Sequence, residues 1–487
     1  MSQSVVPATI LEPERRLPVT AQVDVLICGG GSAGVAAAVA AARGSASTML
    51  VEATGFLGGV ATAALVSEFG GQAGYEHMSG IAREMADRMI ALGQATPGRY
   101  RTSFDPEAFK AVSLKMLGEA GARLLLYTMV VGAIVNDGAL RGVIIENKSG
   151  RQAILAKAVI DATGDADVAA RAGAPTVKGR EKDGRMRPVS LFFRMANINV
   201  EELLGFMRAS PQQFSPDPSK NIMDLDGEYP MLRPLGFFDL VREAKEKGEF
   251  PKECHYLRLD NLNLTEGIVT VNTTRVYDVD GTRAEDLTRA YVEGEDQAST
   301  IVSFLRKYVP GFSQSYLLDK APMLGVRETR RIIGDYVLTE DDIVAAKVFP
   351  DVIGVPGYRH TRGNPVHSPD GQEGAASDIG NRRNIDELFV YGIPYRSLLP
   401  KGIEGLLAAG RCISATHEAD GYTRVIPSCM LTGQAAGAAA ALSALSGTTP
   451  RNVDVHRLQH RLLEQGVRLA IPAAAPTPVP AQRSSSL

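Results

Sequence analysis

The sequence predicts an α/β protein: a parallel sheet flanked by helices, extended by a β-meander, with an α+β domain inserted into it. Three observations lead there. Val23 to Glu52 reads as a buried strand, a glycine-rich turn, an alanine-packed helix and a second strand ending in an acid. Arg123–Val135 and Leu140–Glu146 flank Asn136-Asp137-Gly138, a hairpin signal that makes them strands of a small meander. From about Pro175 the composition changes to loops, isolated strands and one long helix, before the first pattern returns at Leu406–Ala409.

The first stretch is the most informative. Val23, Val25, Leu26, Ile27 and Cys28 form the short apolar run of a strand covered on both faces. Gly29, Gly31 and Gly34, with Ser32 and Ala33 between them, have the G-x-G-x-x-G spacing. The first glycine permits a tight turn, the second lets backbone approach a pyrophosphate, and the third lets helix sit close on strand. The helix predicted over Ser32–Arg43 points its free N–H groups and positive dipole end at the phosphates. Glu52 closes the second strand where a carboxylate accepts both ribose hydroxyls. This is a Rossmann-like site for a dinucleotide with an unphosphorylated ribose, FAD or NAD rather than NADP.

After Glu52, Gly58 and Gly59 in Gly55–Leu65 either bring backbone against something flat, such as a flavin ring, or form a plain turn. Helices are predicted over Ser79–Leu92 and Pro106–Ala120. The strand Ala158–Ala162 runs into Thr163-Gly164-Asp165, a second place where backbone meets the cofactor. The inserted part contains a helix at Val200–Arg208, a loop-rich stretch Gln212–Pro230, a β-branched strand Gly267–Val276 and a helix Ala284–Lys307. It is expected to lie over the reactive end of the cofactor. The boundaries drawn are an arm over 1–17, the dinucleotide domain over 18–175 and 395–447, a substrate domain over 176–394, a C-terminal helix over 448–470 and a disordered tail over 471–487.

Gly325 to Ile343 is dense in arginine. Extended, it puts Arg327, Thr329 and Arg331 on one face and Glu328 and Arg330 on the other. That is either an ion-pair strip or an arginine pair gripping a substrate carboxylate. Thr339 and Asp342 fit a capping box opening the next helix. Gly410-Arg411 is the turn after the last core strand, and Gly433-Gln434-Ala435-Ala436-Gly437 is expected to open a helix stripped of bulk against a ligand.

The net charge of −3 gives no reason to expect nucleic acid or an anionic membrane as partner. The four cysteines form no C-x-x-C pair, which argues against a cluster, a structural zinc or a redox dithiol. His456 and His460 stand one helical turn apart with no third ligand, so no metal site is expected. The apolar run near Ala435–Ala441 is read as too short to span a bilayer, and no signal-peptide core precedes the first strand. A cytoplasmic location is the default expectation, and a homo-oligomer stays open.

Together GGGSAG with Glu52, GFLGG, VIDATGDADVAARAGAP, VNTTRV, LGVRETRRIIGDYVLTEDD and AGRCISATHEADGYTRVIPSCMLTGQAAG resemble the FAD-dependent oxidoreductase family of glutathione-reductase-like flavoproteins, over about residues 22 to 445. The resemblance implies a tightly bound FAD, with adenosine on Gly29–Gly34 and Glu52. The isoalloxazine would lie between Gly58, Gly59, Val60, Ala61 and Thr62, the Arg424 loop, and Gly433, Gln434, Ala435 and Ala436. Ala53 and Val130 join the implied cofactor contacts, as do Thr163, Gly164, Gly410 and Arg411. No second glycine fingerprint follows, so a separate NAD(P)H domain is missing, and Gly410-Arg411 replaces the Gly-Asp usual in aromatic hydroxylases.

The expected activity is that of a dehydrogenase or oxidase moving a hydride from a small polar substrate, with or without a carboxylate, to flavin N5, with oxygen, a quinone or a redox protein as electron acceptor. A base must take the accompanying proton, and His417 and His367 are its candidates, each also readable as a structural histidine. Arg424 is the cation expected beside flavin or substrate. The alternatives are a flavin monooxygenase reduced directly by NAD(P)H and an FAD-bearing electron-transfer subunit of a larger complex.

Overall fold

The computed structural model describes residue 9 and residues 12–70, 75–98, 101–215, 231–359 and 388–470. Strand β1 (Val19–Cys28), helix α1 (Ser32–Arg43) and strand β2 (Thr48–Val51) form the expected βαβ start. Helices α2 (Gly80–Ala91) and α3 (Pro106–Ala120) follow, the latter with Asp105 as N-cap and a proline in its first turn. Next come β3 (Arg123–Leu125), the hairpin β4 (Met129–Asn136) and β5 (Ala139–Asn147), and the twelve-residue β6 (Gly150–Asp161).

β1 lies inside the sheet, parallel to β2 on one side and to β6 on the other, with Cys28 level with Val51 and Asp161. β3 extends the parallel edge beyond β2. The sequence reading of Arg123–Val135 as one strand is therefore corrected: its two halves lie at opposite ends of the sheet order. β6 reconciles two directions, its first half pairing antiparallel with the meander strand β5 and its last residues parallel with β12 (Leu406–Ala408). The meander turn is tight because Asp137 and Gly138 both take positive φ, 50° and 71°.

Between β6 and β12 the chain builds a second antiparallel sheet in the order β8 (Met231–Leu232), β9 (Leu257–Asn263), β10 (Ile268–Val271), β7 (Phe193–Ala196), β11 (Tyr316–Lys320). Helix α4 (Ala284–Tyr308) packs on it, and this layer has its own core around Phe193, Phe237, Phe304 and Phe312. The strand expected over Gly267–Val276 is only half a strand. β10 stops at Val271, and Asn272–Arg275 leave the ladder with their polar side chains buried. The predicted capping box of Thr339 and Asp342 is present.

After β12 come α5 (His417–Thr423) and α6 (Ile426–Ser446). α6 is where the sequence reading most needs correction. It opens at Ile426, with Pro427 in its first turn, so Gly433–Ala436 lie two turns inside the helix. Their small size serves helix packing: a Cβ on Gly433 would meet the carbonyl oxygen of Ala33 at 2.0 Å, and one on Gly437 that of Ala37 at 2.2 Å. The helix is unbroken over 21 residues and apolar enough to cross a bilayer by length and composition, yet 89% of its apolar window is buried in the protein core.

Candidate functional site

A cavity of about 930 Å³ runs from the β1–α1 turn to the inner face of the second sheet. At one end Gly29, Gly31, Ser32, Ala33 and Glu52 line it. Gly29 holds φ at +104°, and a Cβ on Gly34 would fall 1.8 Å from the Gly29 carbonyl oxygen, so this turn packs as tightly as the spacing requires. Glu52 accepts hydrogen bonds from the Gly30 N–H at 2.5 Å and the Thr54 N–H at 2.7 Å. Gly31, the N-cap of α1, carries no side-chain cap, and a Cβ built on it meets nothing within 4 Å. The helix thus offers uncapped N–H groups to open space, the cradle a pyrophosphate fits.

Thr163, Gly164, Gly410 and Arg411 border the same cavity, as do Gly59 and Val60 from the loop after β2. Arg411 is oriented by Asp165, 2.7 Å away, and by the Thr329 hydroxyl at 3.2 Å. Other expected cofactor residues stand behind this wall. Gly58 and Thr62 brace the loop: the Gly58 N–H bonds the Gly30 carbonyl and the Thr62 hydroxyl bonds the Leu57 carbonyl. Ala53, Ala61 and Val130 are not among the lining residues either. Gly433, Gln434, Ala435 and Ala436 are likewise set back, and the Gln434 side chain accepts the Ile81 N–H, tying α6 to the start of α2. The helix end that does border the cavity is Val425, Ile426 and Cys429, beside Arg424. Burial pushes the Cys429 thiol up to about 12, so it is a neutral wall group.

The far end is polar, and Ser190 stands behind it, fully buried and set back from the lining. The Ser190 Oγ accepts from Arg327 at 2.9 Å and from Arg275 at 3.1 Å while donating to the Thr274 carbonyl at 2.6 Å. Two guanidinium groups therefore converge on one hydroxyl. Among the described residues neither has a carboxylate within 4.0 Å, and both border the cavity. Burial, and then the charges of Arg275 and Arg424, drive Arg327 well below the ordinary arginine range. Its accessible surface is only intermediate because it opens onto the cavity, although protein encloses it. Alongside, Asn272 donates to Asp260 at 2.8 Å, Arg233 pairs with the same carboxylate, and Arg258 reaches it at 3.0 Å. Glu68 pairs with Arg101 through Oε1, while its Oε2 is buried without a hydrogen-bond partner among the described residues.

Behind this end lies a closed charge assembly. Glu328 contacts Arg187 at 3.4 Å, Arg331, and His417 Nδ1 at 2.9 Å. Arg187 also reaches Asp420 at 2.9 Å, and Arg331 bonds the carbonyls of Ala415 and Gly179. Burial opposes the charge on Glu328, but the His417 hydrogen bond and the Arg187, His417 and Arg331 charges outweigh it and hold the carboxyl below its usual range.

The expected Arg327–Arg331 pair is accordingly corrected. Only Arg330–Ile332 are in a strand, so the alternation does not extend to residue 327. Arg327 turns to the cavity, whereas Arg331 is enclosed with Glu328, which the extended reading had placed on the other face. His417 is corrected too: it is fully buried, does not border the cavity, and its Nε2 has no hydrogen-bond partner among the described residues. Arg187 is the member of the assembly that reaches the cavity wall. Arg424 stands there as well, with Asp420 4.0 Å away. His367 lies outside the described residues. Sequence reasoning passed over Glu68, Arg187 and Arg275. The signal for Arg275 was present in NTTR, four polar residues in a row ending an otherwise buried strand.

Residues 24–462 match the family described as FAD dependent oxidoreductase. The chain belongs to that family, and with the open cradle at Gly31 it is an FAD-dependent oxidoreductase enzyme. No curated protein matches it. Among solved structures it is similar to a p-nitrophenol 4-monooxygenase from Pseudomonas putida, 9% identical over 92% of this chain and 85% of that one, with a TM-score of 0.47. It is also similar to a geranylgeranyl bacteriochlorophyll reductase-like protein from Thermoplasma acidophilum, 13% identical over 91% and 83% of the two chains, with a TM-score of 0.43.

Proposed function

We propose that this enzyme is a dehydrogenase or oxidase that takes a hydride from a small organic acid. The observation that carries the reading is the pair Arg275 and Arg327, two cations converging on Ser190 Oγ beside the cavity with no carboxylate within 4.0 Å among the described residues. Buried cations without a counter-ion are costly, and a substrate carboxylate supplies the missing charge through paired N–H donors. FAD, when bound, accepts the hydride.

The chain's own residues account for the remaining tasks. Arg275 and Arg327 hold and orient the acid, and the Ser190 hydroxyl fixes the spacing of their guanidinium groups. Arg187 is held at the wall by Glu328 and Asp420 and adds positive potential without needing a substrate anion of its own. The proton released with the hydride goes to Glu68, which borders the cavity and whose Oε2 has no hydrogen-bond partner among the described residues. Oxygen, a quinone or a redox protein then removes the electrons.

The test is an anaerobic screen of 2-hydroxy and 2-amino acids for bleaching of the flavin absorbance, with the matching neutral amides as controls. Bleaching by acids and not by amides is expected. Bleaching by amides at equal concentration, or by NADH alone, would overturn the reading.

A further inference from the structure

The arginine pair shares its cavity with a continuous apolar wall that the acid-binding reading leaves unused. Leu65, Phe192 and Leu324 are buried there, packed with the partly buried Leu287 and Val326 in one cluster, and all five line the cavity. Val326 is the chain neighbour of Arg327, so the wall begins where the cation pair ends. Along α4 it continues outward: Leu287, Thr288, Tyr291 and Val292 lie on one side of the helix and all border the cavity. The last two reach the surface, Tyr291 at 39% and Val292 at 58% exposure. An apolar strip thus runs from the paired arginines to the cavity mouth.

From this juxtaposition we infer that the substrate is an amphipathic acid, its carboxylate on Arg275 and Arg327 and an aliphatic or aromatic substituent lying along the Leu65–Phe192–Leu324 wall toward Val292. The inference rests on the acid-binding reading and adds the chemistry of the rest of the molecule. Small hydrophilic acids would leave the wall wet, and an apolar substituent releases that water. On the neighbouring polar wall Arg233 and Arg258 share Asp260 and Arg101 pairs with Glu68, so each of these cations already has a carboxylate of the chain beside it.

The experiment titrates the holoenzyme with acetate, butyrate, hexanoate and octanoate, reading the shift of the flavin visible bands and, independently, the heat of binding. Kd is expected to fall about three- to fourfold for each added methylene until the chain reaches the mouth. Val292→Asp, at the exposed rim, is expected to weaken octanoate about threefold or more and to leave acetate unchanged. A Kd flat with chain length, while Arg327→Met still weakens acetate, overturns this inference and leaves the acid reading standing. Failure of every acid to bind removes both.

Discussion

Replacing Arg327 and Arg331 separately by methionine tests the proposal that the first binds a ligand and the second is structural. The two are four residues apart and were indistinguishable in sequence, but their surroundings are opposite. Arg327 makes hydrogen bonds to the Pro188 carbonyl and Ser190 Oγ, has no carboxylate partner among the described residues, and is pushed down by burial and by two neighbouring cations. Methionine there loses two bonds of about 1 kcal/mol each and gains relief from desolvation and like-charge repulsion, so stability is expected to change by roughly 1 kcal/mol or less in either direction. Affinity for an anionic substrate should fall by about 10- to 100-fold, the loss of a charge-assisted contact worth roughly 1.5–3 kcal/mol. Arg331 is 1% exposed and faces Glu328, which is 1% exposed. Methionine there removes one of the three partners of Glu328, leaving Arg187 and His417, and deprives the Ala415 and Gly179 carbonyls of their donor, and should cost about 3 kcal/mol. The assay is thermal unfolding followed by flavin fluorescence, alongside Kd for acetate. If Arg327→Met unfolds as readily as Arg331→Met, or if Arg331→Met weakens acetate while remaining stable, the assignment of the two arginines is wrong.

Three further outcomes follow from the same geometry. Glu68→Gln should lower kcat by about 100- to 10,000-fold with little change in KM, since it removes the proposed proton acceptor and keeps the shape; steady-state kinetics on a substrate found in the screen checks this. Gly31→Leu places a side chain in the open cradle at an ordinary φ of −66°, so the protein should keep its circular dichroism and fail to take up FAD, seen as missing visible bands. Glu328, held below the usual carboxylate range in the fold, contributes stability that is present above the unfolded value of about 4.3 and is lost as pH falls through the folded value. The melting temperature of the wild type should therefore drop on acidification below about pH 4, and Glu328→Gln, less stable near neutrality, should show a shallower drop.

The cofactor end of this protein is legible in its sequence because it is made of local rules. A glycine fingerprint between a buried strand and a helix admits few geometries, so Gly29, Gly31, Gly34 and Glu52 could be placed from spacing alone, and α1 spans Ser32–Arg43 as its pattern implies. Local capping signals were equally readable at Thr339–Asp342 and at the Asn136-Asp137-Gly138 turn. Where small residues had two uses the sequence could not choose. Gly433 and Gly437 suit either a ligand or another helix, and only the position of α1 against α6 shows that they meet Ala33 and Ala37.

The polar end of the cavity was decided by tertiary structure. Ser190, Arg275 and Arg327 come from three separate segments, and a hydroxyl becomes the hinge of two guanidinium groups only when those segments are packed together. The same holds for charge: whether an arginine is answered depends on which carboxylates the fold brings within reach, and Glu328 reaches Arg187 and Arg331 but not Arg327. Sequence fixes residue types and short-range periodicity, whereas electrostatic compensation is a property of distances across the fold.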